Sequence, residues 1–367
     1  MAKRTQKRRQ RNRHQKDPLK QVLRVLLSIL LVLLLLAGGL FLFIQVKLGQ
    51  INRILPGQHG SSSAENWEEQ EWDEAGIATS VEGVANVLLV GQDTRSGERE
   101  RSDSMIIVSV NKNTDQITMV SLMRDLYVDI PEYGMCKLNA AYQFGGFELL
   151  DQTIAENLGV FIDYNVEVDF SGFKDIVDTL GGIDIELNAD EAEYLNGGGV
   201  RWTNGRVHDV QEGWNHLDGE AALDYARMRH VGNADFDRTN RQRIVLNTIF
   251  NELKDANWFK LLEVYDSVAA NVTTDMNNTQ ILNIAFSAYS MKKQKLNSYR
   301  IPADNMYTNS YIDRWGDVLE VNDWDATREL LWDYLYSVDG GASADAALSQ
   351  DSSVAVEEEE YWDEEEW

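Results

Sequence analysis

Residues 86–121 read NVLLVGQDTRSGERERSDSMIIVSVNKNTDQITMVS. Three short runs rich in Val, Ile and Leu stand in this stretch, at 86–90, 104–110 and 116–121. Runs of this length, closed by Gly91 or by Asn-Lys-Asn-Thr-Asp, predict buried strands, the second and third joined by a hairpin turn. Further along, Phe147, Leu150, Ile154 and Leu158 recur at helical spacing and Gly159 follows, which predicts a helix over 146–158. Residues 164–170 alternate like a strand, 173–180 form a short helix closed by Gly181 and Gly182, and 183–187 return as a strand. After a Gly-rich loop come helical stretches near 218–229, 237–255, 277–291 and 325–337, with a late strand at 297–301. Strands alternating with helices predict an α/β layered domain.

The 367 residues suffice for one large domain or two modest ones. The single cysteine, Cys136, excludes an internal disulfide framework and a multi-cysteine metal site. With 34 Lys and Arg against 60 Asp and Glu, the net charge is −26, and general nucleic-acid binding is excluded for want of cations. That average hides a split. Residues 1–24 hold ten Lys or Arg and one acid, +9 in all, which leaves −35 on the rest. Between the two lies VLLSILLVLLLLAGGLFLFIQV, the 22 uncharged residues 25–46. As a helix this run spans about 33 Å, enough to cross a bilayer and too long for the apolar part of a cleaved signal peptide. The basic block puts residues 1–24 in the cytoplasm and the bulk of the chain outside the cell membrane. The expected organisation is a basic tail (1–24), a transmembrane helix (25–46), an acidic linker (47–83), a folded domain (84–337) and an acidic tail (338–367).

Four clusters of charge fall at predicted strand ends or helix starts, where α/β domains carry functional groups. Asp93 follows the first strand and Arg101-Ser102-Asp103 precedes the second, so the two aspartates face one sheet edge. Converging carboxylates make a hard-oxygen site suited to Mg²⁺. Arg124-Asp125 follows the third strand. The densest cluster runs through Arg227, Arg229, Asp235, Arg238, Arg241, Gln242 and Arg243, a local inversion in an acidic chain. Arg227 and Arg229 point the same way only if a helix ends there. Arg238 and Gln242 share one face of the next helix, with Asp235 near its start. Arginine suits bidentate contact with phosphate oxygens. Alone these arginines read equally as surface ion pairs; opposite two aspartates they predict a pyrophosphate clamp.

From 84 to about 253 the chain resembles the LytR-CpsA-Psr (LCP) family of membrane-anchored extracellular proteins. The resemblance rests on VLLVGQDTRSGERERSDSMIIVSVN, ITMVSLMRDLYVDIP, KLNAAYQFGG, VDFSGFKDIVDTLGGIDIEL, LDGEAALDYARMRH and DFDRTNRQR, in order and at compatible spacing. It implies an α/β/α sandwich with a central apolar pocket for a polyprenyl chain, which 147–158 and 173–180 are candidates to line. It implies a phosphotransferase that moves a glycopolymer, such as teichoic acid or capsule, from an undecaprenyl-pyrophosphate carrier onto peptidoglycan. By the same resemblance Asp93 and Asp103 bind Mg²⁺ (or Mn²⁺), and Arg101, Arg124, Arg227, Arg229 and Arg238 contact the pyrophosphate. Asp235 and Gln242 orient that arginine set, and Lys137 stands near the phosphates. Asp103, close to Arg101, is the candidate base for the acceptor hydroxyl. Met123 departs from the family's usual proline, which is expected to alter a turn, and the loop from Asp93 to Asp103 is slightly short.

Two rival readings remain at this level. The same metal and arginines would serve hydrolysis of the pyrophosphate with water as acceptor. A membrane-bound binding or regulatory protein is disfavoured by the expected topology, because a 24-residue cytoplasmic tail without a fold has little capacity to read DNA. The histidines (His14, His59, His208, His216, His230) show no metal spacing, and His230 beside Arg229 reads as a surface residue first and as a proton shuttle second.

Overall fold

The computed structural model describes residues 45–53, 80–92, 102, 104–198, 205–232, 234–291, 296–338 and 341, and the chain divides into two units, 1–49 and 50–367. In the first unit, residues 45–48 form a helical turn, with Gly49 N–H donating to Gln45 O at 3.1 Å. The expected span at 25–46 lies outside the described residues except for Gln45 and Val46, and among the described residues no helix is long and apolar enough to cross a membrane. Most of the expected linker and nearly all of the acidic tail also lie outside them.

The second unit carries strands β1 (Asn52–Arg53), β2 (Val84–Gln92), β3 (Ser104–Asn111), β4 (Gln116–Leu122), β5 (Tyr127–Ile130), β6 (Gly134–Lys137), β7 (Tyr164–Asp169), β8 (Ile183–Leu187), β9 (Gly213–Leu217), β10 (Val272–Thr274), β11 (Leu296–Ile301), β12 (Tyr307–Ile312) and β13 (Gly316–Val321). Its helices are α1 (Leu138–Leu158), α2 (Phe170–Leu180), α3 (Ala189–Glu193), α4 (Gly219–Arg227), α5 (Ala234–Asp255), α6 (Trp258–Val268), α7 (Asn278–Ser290) and α8 (Trp324–Tyr336). Seven strands form one mixed sheet in the order β1-β10-β7-β2-β3-β4-β11. β2 pairs antiparallel with β3 and β3 with β4, while β7 and β11 join β2 and β4 in parallel. The carboxyl ends of β2, β4, β7 and β11 therefore lie at one end of the sheet.

Alternation along the central strands explains the layers. Leu88, Val90, Met105, Ile107, Val120 and Leu122 face one side, where Leu150 and Ile154 of α1 and Leu330 and Leu331 of α8 cover them. Ile106, Val110, Ile117 and Met119 face the other, against Leu246 and Phe250 of α5 and Ile284 of α7. Leu88, Ile107 and Val120 are wholly enclosed, and each such side chain contributes about 1.5–3 kcal/mol relative to exposure. A third core, including Val177, Ile185, Leu217, Tyr225 and Val245, joins α2, α4 and α5 to the separate β8–β9 hairpin.

Two differences from the sequence-based expectations have clear causes. The helix expected at 146–158 begins at Leu138, with a kink at Gly146 (φ 69°, ψ −150°) that an L side chain rarely adopts. Its first residues, Leu138 to Tyr142, are all buried, so they show no amphipathic spacing. Residues 183–187 are extended as expected but pair with β9 and not with the main sheet. Met123 donates its N–H to Ile301 O at 2.9 Å, extending the β4–β11 ladder by a bond that proline lacks the hydrogen to make.

Candidate active site

A cavity of about 830 Å³ opens where the carboxyl ends of β2 and β7 meet α2, α4 and α5. Its depth is apolar, walled by Leu89, Ile106 and Val168 from the sheet and by Phe173, Leu246 and Ile249 from the helices. Its mouth is cationic: Arg124, Lys137, Arg227, Arg229 and Arg238 all line it, with Gln242 beside them.

Local chain geometry brings these groups together. α4 ends at Arg227 because Met228 is extended (φ −60°, ψ 122°), so Arg227 and Arg229, one residue apart, both reach the cavity. Arg238, Gln242, Val245 and Ile249 follow one stripe of α5 and change from charged to apolar with depth. Asp235 sits in the first turn of that helix, where a carboxylate is favoured by the helix dipole.

Asp235 ties the cations to one another. Its Oδ2 accepts from Arg124 Nη2 at 2.9 Å, and its Oδ1 lies 3.1 Å from Arg238 Nη2 and 3.7 Å from Arg229 Nε. Asp125 continues the chain, accepting from Arg124 Nε at 3.2 Å and from Lys137 Nζ at 2.6 Å. Burial by itself pushes the Asp235 carboxyl up. The Arg238 guanidinium first, and then those of Arg124 and Arg229, outweigh it and hold the group down at about 2. Arg227 is fixed differently, its guanidinium stacked 4.4 Å above the Phe170 ring centroid. The result is a set of pre-positioned donors with more positive than negative charge, aimed at one opening.

Of the residues singled out in the sequence, Arg124, Lys137, Arg227, Arg229, Arg238 and Gln242 therefore share the mouth, with Asp235 behind them. Asp93, Arg101 and Asp103 lie outside the described residues. The positions flanking that loop are described: Gly91 pairs with Ser104 in the β2–β3 ladder, and both line the cavity. Ser102 is wholly buried and its Oγ has no hydrogen-bond partner among the described residues. No group of three His, Cys, Asp or Glu side chains fit to hold a metal ion occurs among the described residues.

The helix at 147–158 does not line the cavity: Leu150, Ile154 and Leu158 pack in the core, and α1 reaches the mouth only through Asn139 and Gln143. Its place as wall is taken by α5. Asp125 and Phe170 have positioning roles that the sequence reading did not assign, although each adjoins a motif residue. His230 lies on the exposed rim of the mouth.

Residues 56–325 match the LytR_cpsA_psr family. The regulatory protein MsrR of Staphylococcus aureus (strain COL) is 31% identical over 257 residues, which cover 69% of this chain and 75% of MsrR. The polyisoprenyl-teichoic acid–peptidoglycan teichoic acid transferase TagU of Oceanobacillus iheyensis is 34% identical over 251 residues, covering 66% of this chain and 73% of TagU. Among solved structures, the LytR-CPS2A-psr family protein YwtF (TagT) with bound octaprenyl pyrophosphate lipid matches with a TM-score of 0.54 and 25% identity, over 71% of this chain and 95% of that one.

Proposed function

The chain belongs to the LytR_cpsA_psr family, and we propose that it is a membrane-anchored phosphotransferase that moves a glycopolymer from a polyprenyl-pyrophosphate carrier onto peptidoglycan. The observation that carries this reading is one cavity that combines an apolar depth with five cations at its mouth. A polyprenyl chain suits the depth and a pyrophosphate suits the mouth. The likeness to a relative named as a teichoic acid transferase, and to a structure holding octaprenyl pyrophosphate, supports it.

In this mechanism Arg227, Arg229 and Arg238 grip the phosphate oxygens, Arg124 and Lys137 close the clamp from the opposite wall, and Asp235 and Gln242 hold the set in register. The clamp neutralises charge on the departing polyprenyl phosphate while an acceptor sugar hydroxyl attacks phosphorus on the glycan side. Asp103 takes the hydroxyl proton, and Arg101 adds a further contact. Mg²⁺ (or Mn²⁺) would be held by Asp93 and Asp103. What supports this is the chemistry of the donor set, two carboxylates with hard oxygens suited to such an ion, in the loop whose flanking residues Gly91 and Ser104 border the mouth. When bound, the ion supplies Lewis-acid neutralisation of the pyrophosphate. The same reading has residues 1–24 cytoplasmic, 25–46 spanning the cell membrane, and the domain at 84–337 outside the cell.

The test uses the full chain in lipid nanodiscs with a labelled polyprenyl-pyrophosphate glycan and peptidoglycan oligomers, with Mg²⁺, with chelator, and with Arg229→Ala. Label on peptidoglycan that requires Mg²⁺ and Arg229 supports the transferase. Release of free glycan phosphate points instead to hydrolysis. Lipid binding without turnover, over several polymers, overturns the enzymatic reading.

A further inference from the structure

Arg241 belongs to the arginine cluster by sequence but not to the mouth of the cavity. It is almost wholly buried, and its donors all turn inward. Nε donates to Glu191 Oε1 at 2.8 Å, Nη1 to Met228 O at 3.2 Å and Nη2 to Val231 O at 3.1 Å. The two carbonyls bracket Arg229 and His230. Glu191 is itself committed, because its other oxygen accepts from Asn188 N at 3.0 Å in the capping box of α3. The far end of the same turn is set by Gly232 at φ 74°, where an added Cβ would run into the Asp237 carboxylate. A turn between two helices leaves carbonyls without partners, and a guanidinium fork satisfies two at once where lysine, a point charge on a flexible stem, does not.

We propose that the buried Glu191–Arg241 pair is a positioning device for Arg229: it buckles the 228–231 turn to α3 and so sets where the Arg229 guanidinium meets a phosphate. This rests on the function proposed above. Neither residue lines the cavity, so Arg241 acts through the backbone of the turn. A buried ion pair is often replaceable by apolar residues of similar volume. Here replacement would remove the donors that Arg241 gives to the Met228 and Val231 carbonyls.

The experiment is a pair of double-mutant cycles on the full chain in nanodiscs, with octaprenyl pyrophosphate as the probe. Arg241→Lys and Arg229→Ala are each expected to weaken binding about tenfold, and the double variant by about the same factor, because the buckle acts only through Arg229. Arg241→Lys combined with Lys137→Ala should instead multiply to about a hundredfold. Glu191→Gln serves as the milder second variant if Arg241→Lys does not fold, and near-ultraviolet circular dichroism reports the fold of each. Multiplicative loss with Arg229→Ala, or a folded Arg241→Lys that binds like the wild type, overturns the proposal. Amide hydrogen exchange of the ligand-free protein separates the two levels. Arg241→Lys should speed exchange at Arg229, His230 and Val231 whatever the lipid result. If wild type binds no probe, the functional reading fails and this arm alone decides whether the buckle exists.

Discussion

Arg124 and Asp235 lie 111 positions apart in the chain and meet through a 2.9 Å bond at the cavity mouth. One follows β4 and the other opens α5, so the bond joins the sheet to the helical layer across the opening. Asp235 also holds Arg238 and approaches Arg229. Asp235→Asn keeps the shape and removes the charge that gathers three guanidinium groups. Charged hydrogen bonds of this kind contribute about 1.5–3 kcal/mol, so octaprenyl-pyrophosphate binding should weaken about 10- to 100-fold, as measured by titration calorimetry. Unchanged affinity would show that the three cations are held by other contacts.

The same carboxylate sets an acid limit. It is held at about 2 in the folded protein against an ordinary 3.8. Its contribution is therefore complete above pH 4 and is lost as pH falls toward 2, amounting to about 2 kcal/mol. Denaturant unfolding of wild type and Asp235→Asn, compared at pH 5 and pH 2.5, should show the stability gap closing in acid.

Asp151 runs with the opposite sign. Burial pushes its carboxyl well up, the hydrogen bond from Asn165 only partly offsets this, and Asp275 adds repulsion. A raised carboxyl favours the folded state in acid and withdraws that support as pH rises above about 4. Asp151→Asn should flatten this fall and raise Tm at pH 7 by on the order of 3 °C, seen by scanning calorimetry. A lower Tm at pH 7 would mean that the ionised form is the better partner for Asn165.

Phe170 beneath Arg227 gives a prediction of narrower kind. Phe170→Leu keeps the apolar volume and removes the ring face, which is worth about 0.5–2 kcal/mol. Binding of the pyrophosphate lipid should weaken by a few-fold to about tenfold, while Tm moves little.

The separate duties of α1 and α5 can be tested directly. Leu150→Ala, in the core, should destabilise by about 2–5 kcal/mol without altering lipid affinity in the folded fraction. Ile249→Trp, on the cavity wall, should block the lipid while costing less stability. A reversal of the two results would return α1 to the wall.

What the sequence disclosed follows from how much of each signal is local. The strands at 86–121 are readable because each is a short apolar run with punctuation at its ends, whereas the pairing of Gly91 with Ser104 is a matter of register that only the ladder displays. Gly159 marks the end of α1, but its start at Leu138 is masked by burial on every side. α6 was not anticipated although Asn257, its cap, was a usable signal. Within the arginine cluster, spacing assigns residues to helix faces but not faces to neighbours. Arg238 turns to the cavity and Arg241, three residues on, turns to Glu191.

Under the proposed function, the stripe on α5 from Arg238 to Ile249 would work as a ruler whose zero mark is the phosphate. At about 1.5 Å per residue, the apolar graduation beyond Gln242 extends roughly 10 Å. That length measures the head of a long polyprenyl chain and leaves the remainder unmeasured. Under the proposed function, the protein should therefore be indifferent to how many isoprene units a carrier holds once the graduated segment is filled, and shortened carriers should serve as well as natural ones.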